Sequence, residues 1–146
     1  MSNLYQLSYI SKNLLMGDKL ALQSQIESIL VSSSKNNFKM GITGALLYSG
    51  GYFCQVIEGE ETAIEELFET IQLDNRHAEV TVLYFDKAEE RSFSEWSMAF
   101  AGIEDSMRFD IIGLKDAKDR NTMKKTGRKI VSVLENLVKK KQATNA

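Results

Sequence analysis

At 146 residues, 43% of them hydrophobic and 26% charged, the chain has the make-up of one globular domain with a sizeable core. No apolar run approaches the ~20 residues of a membrane-spanning helix, and Met1-Ser2-Asn3-Leu4-Tyr5 lacks the basic and apolar segments of a secretion signal. The lone cysteine, Cys54, has no internal disulfide partner, so a reducing cytoplasm is the expected home.

The predicted elements begin with a strand over Leu4–Ser11, which sets Leu7 and Tyr9 on one face and Ser8 and Ile10 on the other. Asp18 is a candidate N-cap for a helix whose stripe is Leu22, Ile26, Ile29, Leu30 and Ser33 and which stops at the polar Lys35-Asn36-Asn37. An apolar run over Ile42–Ser49, a Gly50-Gly51 turn and a return over Tyr52–Glu58 predict a β-hairpin. On the returning strand Phe53, Gln55 and Ile57 share one face, and Tyr52, Cys54 and Val56 the other. Gly59 is expected to close that strand. Glu60, Glu61, Glu65 and Glu66 crowd the start of a second helix, where its dipole favours them, and Ile64, Leu67, Phe68 and Ile71 form its stripe. Strands over Val80–Phe85 and Ser97–Ala101 follow, then helical sequence from Asp105 to Lys141, with Met123, Ile130, Leu134 and Leu137 along one side. The order predicts an α+β fold, a ferredoxin-like βαββαββ sandwich with two helices on one sheet face, plus C-terminal helices. We divide it into a unit over residues 1–104 and a helical extension over 105–146.

Formal charge is −2, but unevenly spread. Residues 117–146 hold nine basic and two acidic side chains, leaving nine basic and eighteen acidic in residues 1–116. Such a tail reads as a nucleic-acid arm or as the solvated face of a helix. Its interleaved apolar residues favour the helix, so nucleic-acid contact is not expected.

Conventional catalysis has little to stand on. There is no phosphate-cradling GxxxxGK[ST] loop and no GxGxxG turn. One histidine and one cysteine do not make the usual zinc site. His77, placed at a helix end, reads as structural. What stands out is a polar set at positions that the pattern buries: Gln55 among apolar neighbours, Tyr9 on the inward face of the first strand, and Asn36-Asn37 at the helix end. A buried carboxamide needs partners or costs about 1–3 kcal/mol. The residues alone leave two readings open: Gln55 simply pairs with Tyr9, or the set holds a ligand.

Leu7-Ser8-Tyr9-Ile10-Ser11, Asn36-Asn37, Gly41-Ile42-Thr43-Gly44-Ala45-Leu46-Leu47-Tyr48 and Phe53-Cys54-Gln55-Val56-Ile57-Glu58-Gly59-Glu60, followed by Asp74-Asn75-Arg76-His77 and Arg91-Ser92-Phe93-Ser94-Glu95-Trp96-Ser97-Met98, occur in the order found in BLUF domains, sensors of blue light using FAD. The sequence resembles that family over residues 4 to 100. The resemblance implies noncovalent FAD between the two helices, with Ile29 and Ile71 on either side of the ring and Asn37 at its polar edge. Ser33, Asn36 and Asp74 would lie nearby, and Lys35, Arg76 and His77 toward the ribityl and phosphate end. Tyr9 would be the electron donor and Gln55 the hydrogen-bond switch, since a carboxamide both donates and accepts. Trp96 and Met98 belong to the segment that moves in this family, and which of them faces inward is open. Several members carry a basic residue where this chain has Thr70, which is too short for the same contact.

The implied function is a photoreceptor without enzymatic activity, its output passing through the C-terminal helices to a protein partner or a homo-oligomer interface. Two alternatives stay open. One is a flavin-binding module that does not signal, and the other an acylphosphatase-like hydrolase using Arg76 and Asn37 around a phosphate.

Overall fold

The computed structural model describes residues 4–13, 19–49, 52–73, 77–94, 99–103 and 120–144. Its elements are β1 (Leu4–Asn13), α1 (Lys19–Met40), β2 (Thr43–Ser49), β3 (Tyr52–Glu60), α2 (Glu61–Leu73), β4 (His77–Lys87), β5 (Ala99–Ile103) and α3 (Arg120–Thr144). The five strands form one sheet in the order β4-β1-β3-β2-β5. Neighbours among the first four are antiparallel, and β5 joins the β2 edge in parallel. The α+β ferredoxin-like expectation therefore holds, with a fifth strand on one edge.

Strand alternation sorts the core into two layers. On the front face Leu7, Tyr9, Leu46, Phe53 and Ile57 pack with Ile26 of α1 and Ile64 of α2, with Leu30, Leu67, Phe68 and Ile71 around them. On the back face Ile10, Ala45, Leu47, Cys54 and Val56 pack with Phe93 and with Ile130, Val131, Leu134 and Val138 of α3. Each fully buried aliphatic side chain contributes about 1.5–3 kcal/mol, so α3 is held on the back face by its apolar stripe. The hairpin of β2 and β3 closes from Ser49 opposite Tyr52.

Several strand ends shift by two or three residues, the fifth strand from the expected Ser97–Ala101 to Ala99–Ile103, and three further differences have a clear physical reason. Helix α1 does not stop at Lys35-Asn36-Asn37 but runs on to Met40. It ends where Gly41 takes a left-handed φ of 69°, with Ile42 N–H donating to the Asn37 carbonyl (2.8 Å) and Gly41 N–H to that of Phe38 (3.3 Å). A Schellman cap of this kind needs the glycine more than it needs a polar stop. His77 is not at a helix end: it opens β4 opposite Asn13, because ladder hydrogen bonds extend the strand through polar residues. Gly59 does not close β3 but pairs with Tyr5 inside it. The expected Asp18 cap, the Gly50-Gly51 turn and the helical reading of residues 105–119 lie outside the described residues.

Candidate functional site

Tyr9 and Gln55 are direct partners in the β1–β3 ladder, and both side chains rise from the front face. Tyr9 is 1% exposed. Its hydroxyl donates to Gln55 Oε1, and its ring meets Phe68 of α2 edge-on at 5.5 Å. Gln55 is half-buried although Phe53, Cys54, Val56 and Ile57 around it are all buried. The front face is thus open above Gln55 and closed on both sides of it. Leu46 of β2 is its other ladder partner.

The two front-face helices supply the rest. Asn37 is fully buried although it sits in a helix that the sequence expectation ended there. Ile29 and Ser33 of α1 and Ile71 of α2 are half-buried, while Lys35 and Asn36 are exposed. Thr70 is exposed, and its hydroxyl donates to the Glu66 carbonyl one turn back (3.2 Å), which directs it onto its own helix. His77 is placed by its backbone alone. Asp74, Arg76, Trp96 and Met98 lie outside the described residues.

Cys54 is excluded from this face. It points into the back-face core and is fully buried, and burial pushes its thiol up to about 12, so it stays protonated at neutral pH. Among the described residues no group of three or more His, Cys, Asp or Glu side chains could hold a metal ion, and no helix is long and apolar enough to cross a membrane.

The chemistry of this set suits the polar edge of a flavin. Hydroxyl and carboxamide groups offer donors and acceptors side by side, on a floor of Phe53, Ile57 and Leu46 that excludes water. A family model described as sensors of blue-light using FAD matches residues 4–99. The chain belongs to the BLUF family. FAD is accordingly the cofactor, and light reception for signalling is the family's function.

The β subunit of the photoactivated adenylate cyclase of Euglena longa is 33% identical over 101 residues, 68% of this chain and 11% of the relative. The blue light- and temperature-regulated antirepressor BluF of Escherichia coli strain K12 is 29% identical over 68% of this chain and 24% of its own length. The chain thus spans only about a tenth to a quarter of these curated relatives. Solved structures of similar size exist. The dark-state structure of BlrB, a BLUF protein, superposes with a TM-score of 0.69 at 32% identity, covering 94% of this chain and 96% of that one. The photo-activated state of BlsA gives 0.67 at 27% identity, covering 92% and 94%.

The sequence reading missed a second polar cluster, on the back face of the BLUF sheet. Glu58 is fully buried there. Its carboxylate accepts from Gln6 Nε2 (2.9 Å), Thr43 Oγ1 (3.0 Å) and the backbone N–H groups of Ser92 (2.7 Å) and Phe93 (3.0 Å). Gln6 in turn accepts from the Tyr84 hydroxyl. The available signal was parity: strand alternation puts Glu58 with Cys54 and Val56, where an acid is out of place unless paired.

Proposed function

We propose that this BLUF domain is a blue-light photoreceptor in which Tyr9 and Gln55 form the switch and the C-terminal helix passes the signal on. The observation that carries this reading is the hydrogen bond from the buried Tyr9 hydroxyl to the half-buried Gln55 Oε1, on the sheet face that packs against α1 and α2. Bound FAD supplies the chromophore and, when excited, a strong oxidant. Tyr9 is a buried side chain on the flavin-facing side of the sheet that can release both an electron and a proton. Gln55 holds the acceptor side of its amide toward Tyr9, so its donor side is directed elsewhere. Rotation or tautomerisation exchanges the two, a change that a carboxylate could not make because it lacks a donor. Asn37 holds the polar edge of the ring, and Ile29 and Ile71 its two faces. Ser33, Lys35, Asn36, Asp74, Arg76 and His77 line the remainder, and Trp96 and Met98 respond to the switch.

Output runs from the sensing unit of residues 1–104 through residues 105–146, of which α3 packs on the back face of the sheet, to a protein partner or a second copy of the chain in the cytoplasm. The apolar stripe of α3 is spent on the back face of the sheet, which leaves exposed residues such as Lys125 and Lys129 outward as a solvated face. That arrangement supports protein contact over a nucleic-acid arm and needs no catalytic group.

The deciding measurement is the absorption spectrum of the purified, FAD-loaded chain before and after blue light. A flavin band that shifts to the red and returns in the dark is expected. A protein that stays colourless in excess FAD would overturn the reading, and a yellow protein with an unchanged spectrum would mark a module that does not signal.

A further inference from the structure

Four hydrogen bonds converge on the carboxylate of Glu58, and their origins are its most informative feature. Gln6 brings in β1 and Thr43 brings in β2. Ser92 and Phe93 bring in, through their main chain, the turn that follows β4 and leads along the chain to Trp96 and Met98. Arg91 reinforces the same junction, donating to Thr43 Oγ1 (2.9 Å) and to the Glu58 carbonyl (3.3 Å). Burying a carboxylate is costly unless its lone pairs are satisfied, so the site is built around an acceptor with two oxygens. It also sits three residues from Gln55, on the opposite face of the same strand.

We propose that Glu58 is a positioning residue that grips the Ser92–Phe93 turn from β3 and couples the state of Gln55 to the segment that follows. The coupling rests on the photoreceptor reading above; the grip itself does not. When the hydrogen bonding of Gln55 changes on β3, the carboxylate moves with the strand, and the two amide hydrogen bonds at 92 and 93 respond. Glutamine cannot replace it, because its amide nitrogen would face a donor and only one oxygen would accept.

The test is amide hydrogen exchange at Ser92 and Phe93 in FAD-loaded protein, dark and illuminated, with the absorption spectrum recorded alongside. In the wild type, illumination should change exchange at these two amides. In Glu58→Gln, dark exchange there should rise roughly tenfold, the effect of one lost hydrogen bond, and light should change it no further while the red shift persists. A residue that served only stability would speed exchange across the whole sheet and leave the light response at 92–93 intact; that result, or wild-type amides indifferent to light, would overturn the proposal. Thr43→Val covers the case in which Glu58→Gln fails to fold. It removes one donor to the carboxylate and one of the two acceptors of Arg91, and should give a smaller rise with a weakened light response; unchanged exchange in it would also overturn the proposal. A wild type without any red shift would instead sink the photoreceptor reading, and Glu58→Gln would still report the dark grip.

Discussion

Tyr84 of β4 and Gly127 of α3 meet with no room for another carbon between them: a Cβ at position 127 would lie 2.6 Å from Tyr84 Cδ1 and 2.9 Å from Cε1. The ladder between β1 and β4 slips between Ser8 and Tyr9, a bulge that sets both Leu83 and Tyr84 on the back face. The same side of α3 carries Lys124, whose Nζ is 2.7 Å from Asp86, and Arg128, whose guanidinium lies 5.6 Å from the Tyr84 ring centroid. Lys124 stands three residues before Gly127 and four before Arg128, one helical turn from each.

Gly127→Ala should therefore destabilise the protein. Alanine gains about 1 kcal/mol in helix propensity, but overpacking costs about 1–3 kcal/mol, and the Tyr84 hydroxyl is tied to Gln6, so the ring has little freedom to retreat. A lower urea midpoint is expected. In a Tyr84→Ala background the loss should shrink, because only the 3.0 Å approach to Leu83 Cβ then opposes the propensity gain.

Gln55→Leu should keep FAD and lose the wild-type red shift, because leucine keeps the volume and offers no donor in any rotamer. Tyr9→Phe removes only the hydroxyl that bonds Gln55, so packing against Phe68 should survive and the photocycle should be lost or much reduced. Difference spectra of both variants under blue light check this. A wild-type reversible shift in Gln55→Leu would show that the switch lies elsewhere.

Asn37→Ala should weaken FAD retention far more than Asn36→Ala, since Asn37 is buried and Asn36 exposed. Losing a buried polar contact corresponds to roughly tenfold or more in dissociation constant. Flavin titration of the two apoproteins measures it, and equal affinities would remove Asn37 from the binding edge.

Stability should fall at alkaline pH. Burial, offset in part by Arg128 and reinforced by Glu58 and Asp86, pushes the Tyr84 hydroxyl from 10.0 up to about 12. Burial alone pushes the Cys54 thiol from 9.0 up to about 12. The folded state therefore holds protons that the unfolded state releases. The stabilisation is fully present below pH 9 and is lost as pH rises toward 12. Urea midpoints should stay level up to about pH 9 and fall from there to about pH 11. In Cys54→Ala the fall should begin nearer pH 10, and an unchanged slope there would mean that the thiol is accessible.

Much of the site was legible because strand alternation is local. The period of two in Leu7–Tyr9 and Phe53–Gln55–Ile57 placed Tyr9 and Gln55 on one inward face before any pairing was known, and the ladder then made them direct partners. The stripes of α2 and α3 were legible for the same reason, their period being a property of the helix alone. The end of α1 was harder. Polar residues looked like a stop, whereas the chain continues to the first residue that tolerates a left-handed turn, Gly41.

By itself, then, the sequence determined which residues could face one another: the alternation of the strands, the stripes of the helices and the order of the motifs that mark a BLUF domain. Tertiary structure alone decided which of them do. Glu58 meets Ser92 across 34 positions of chain, Tyr84 reaches Gln6 across 78, and Gly127 finds the bulge at Leu83–Tyr84. Each contact depends on strand register and on α3 lying across the back face, and the free energy of both resides in distant pairings that no local pattern of residues records.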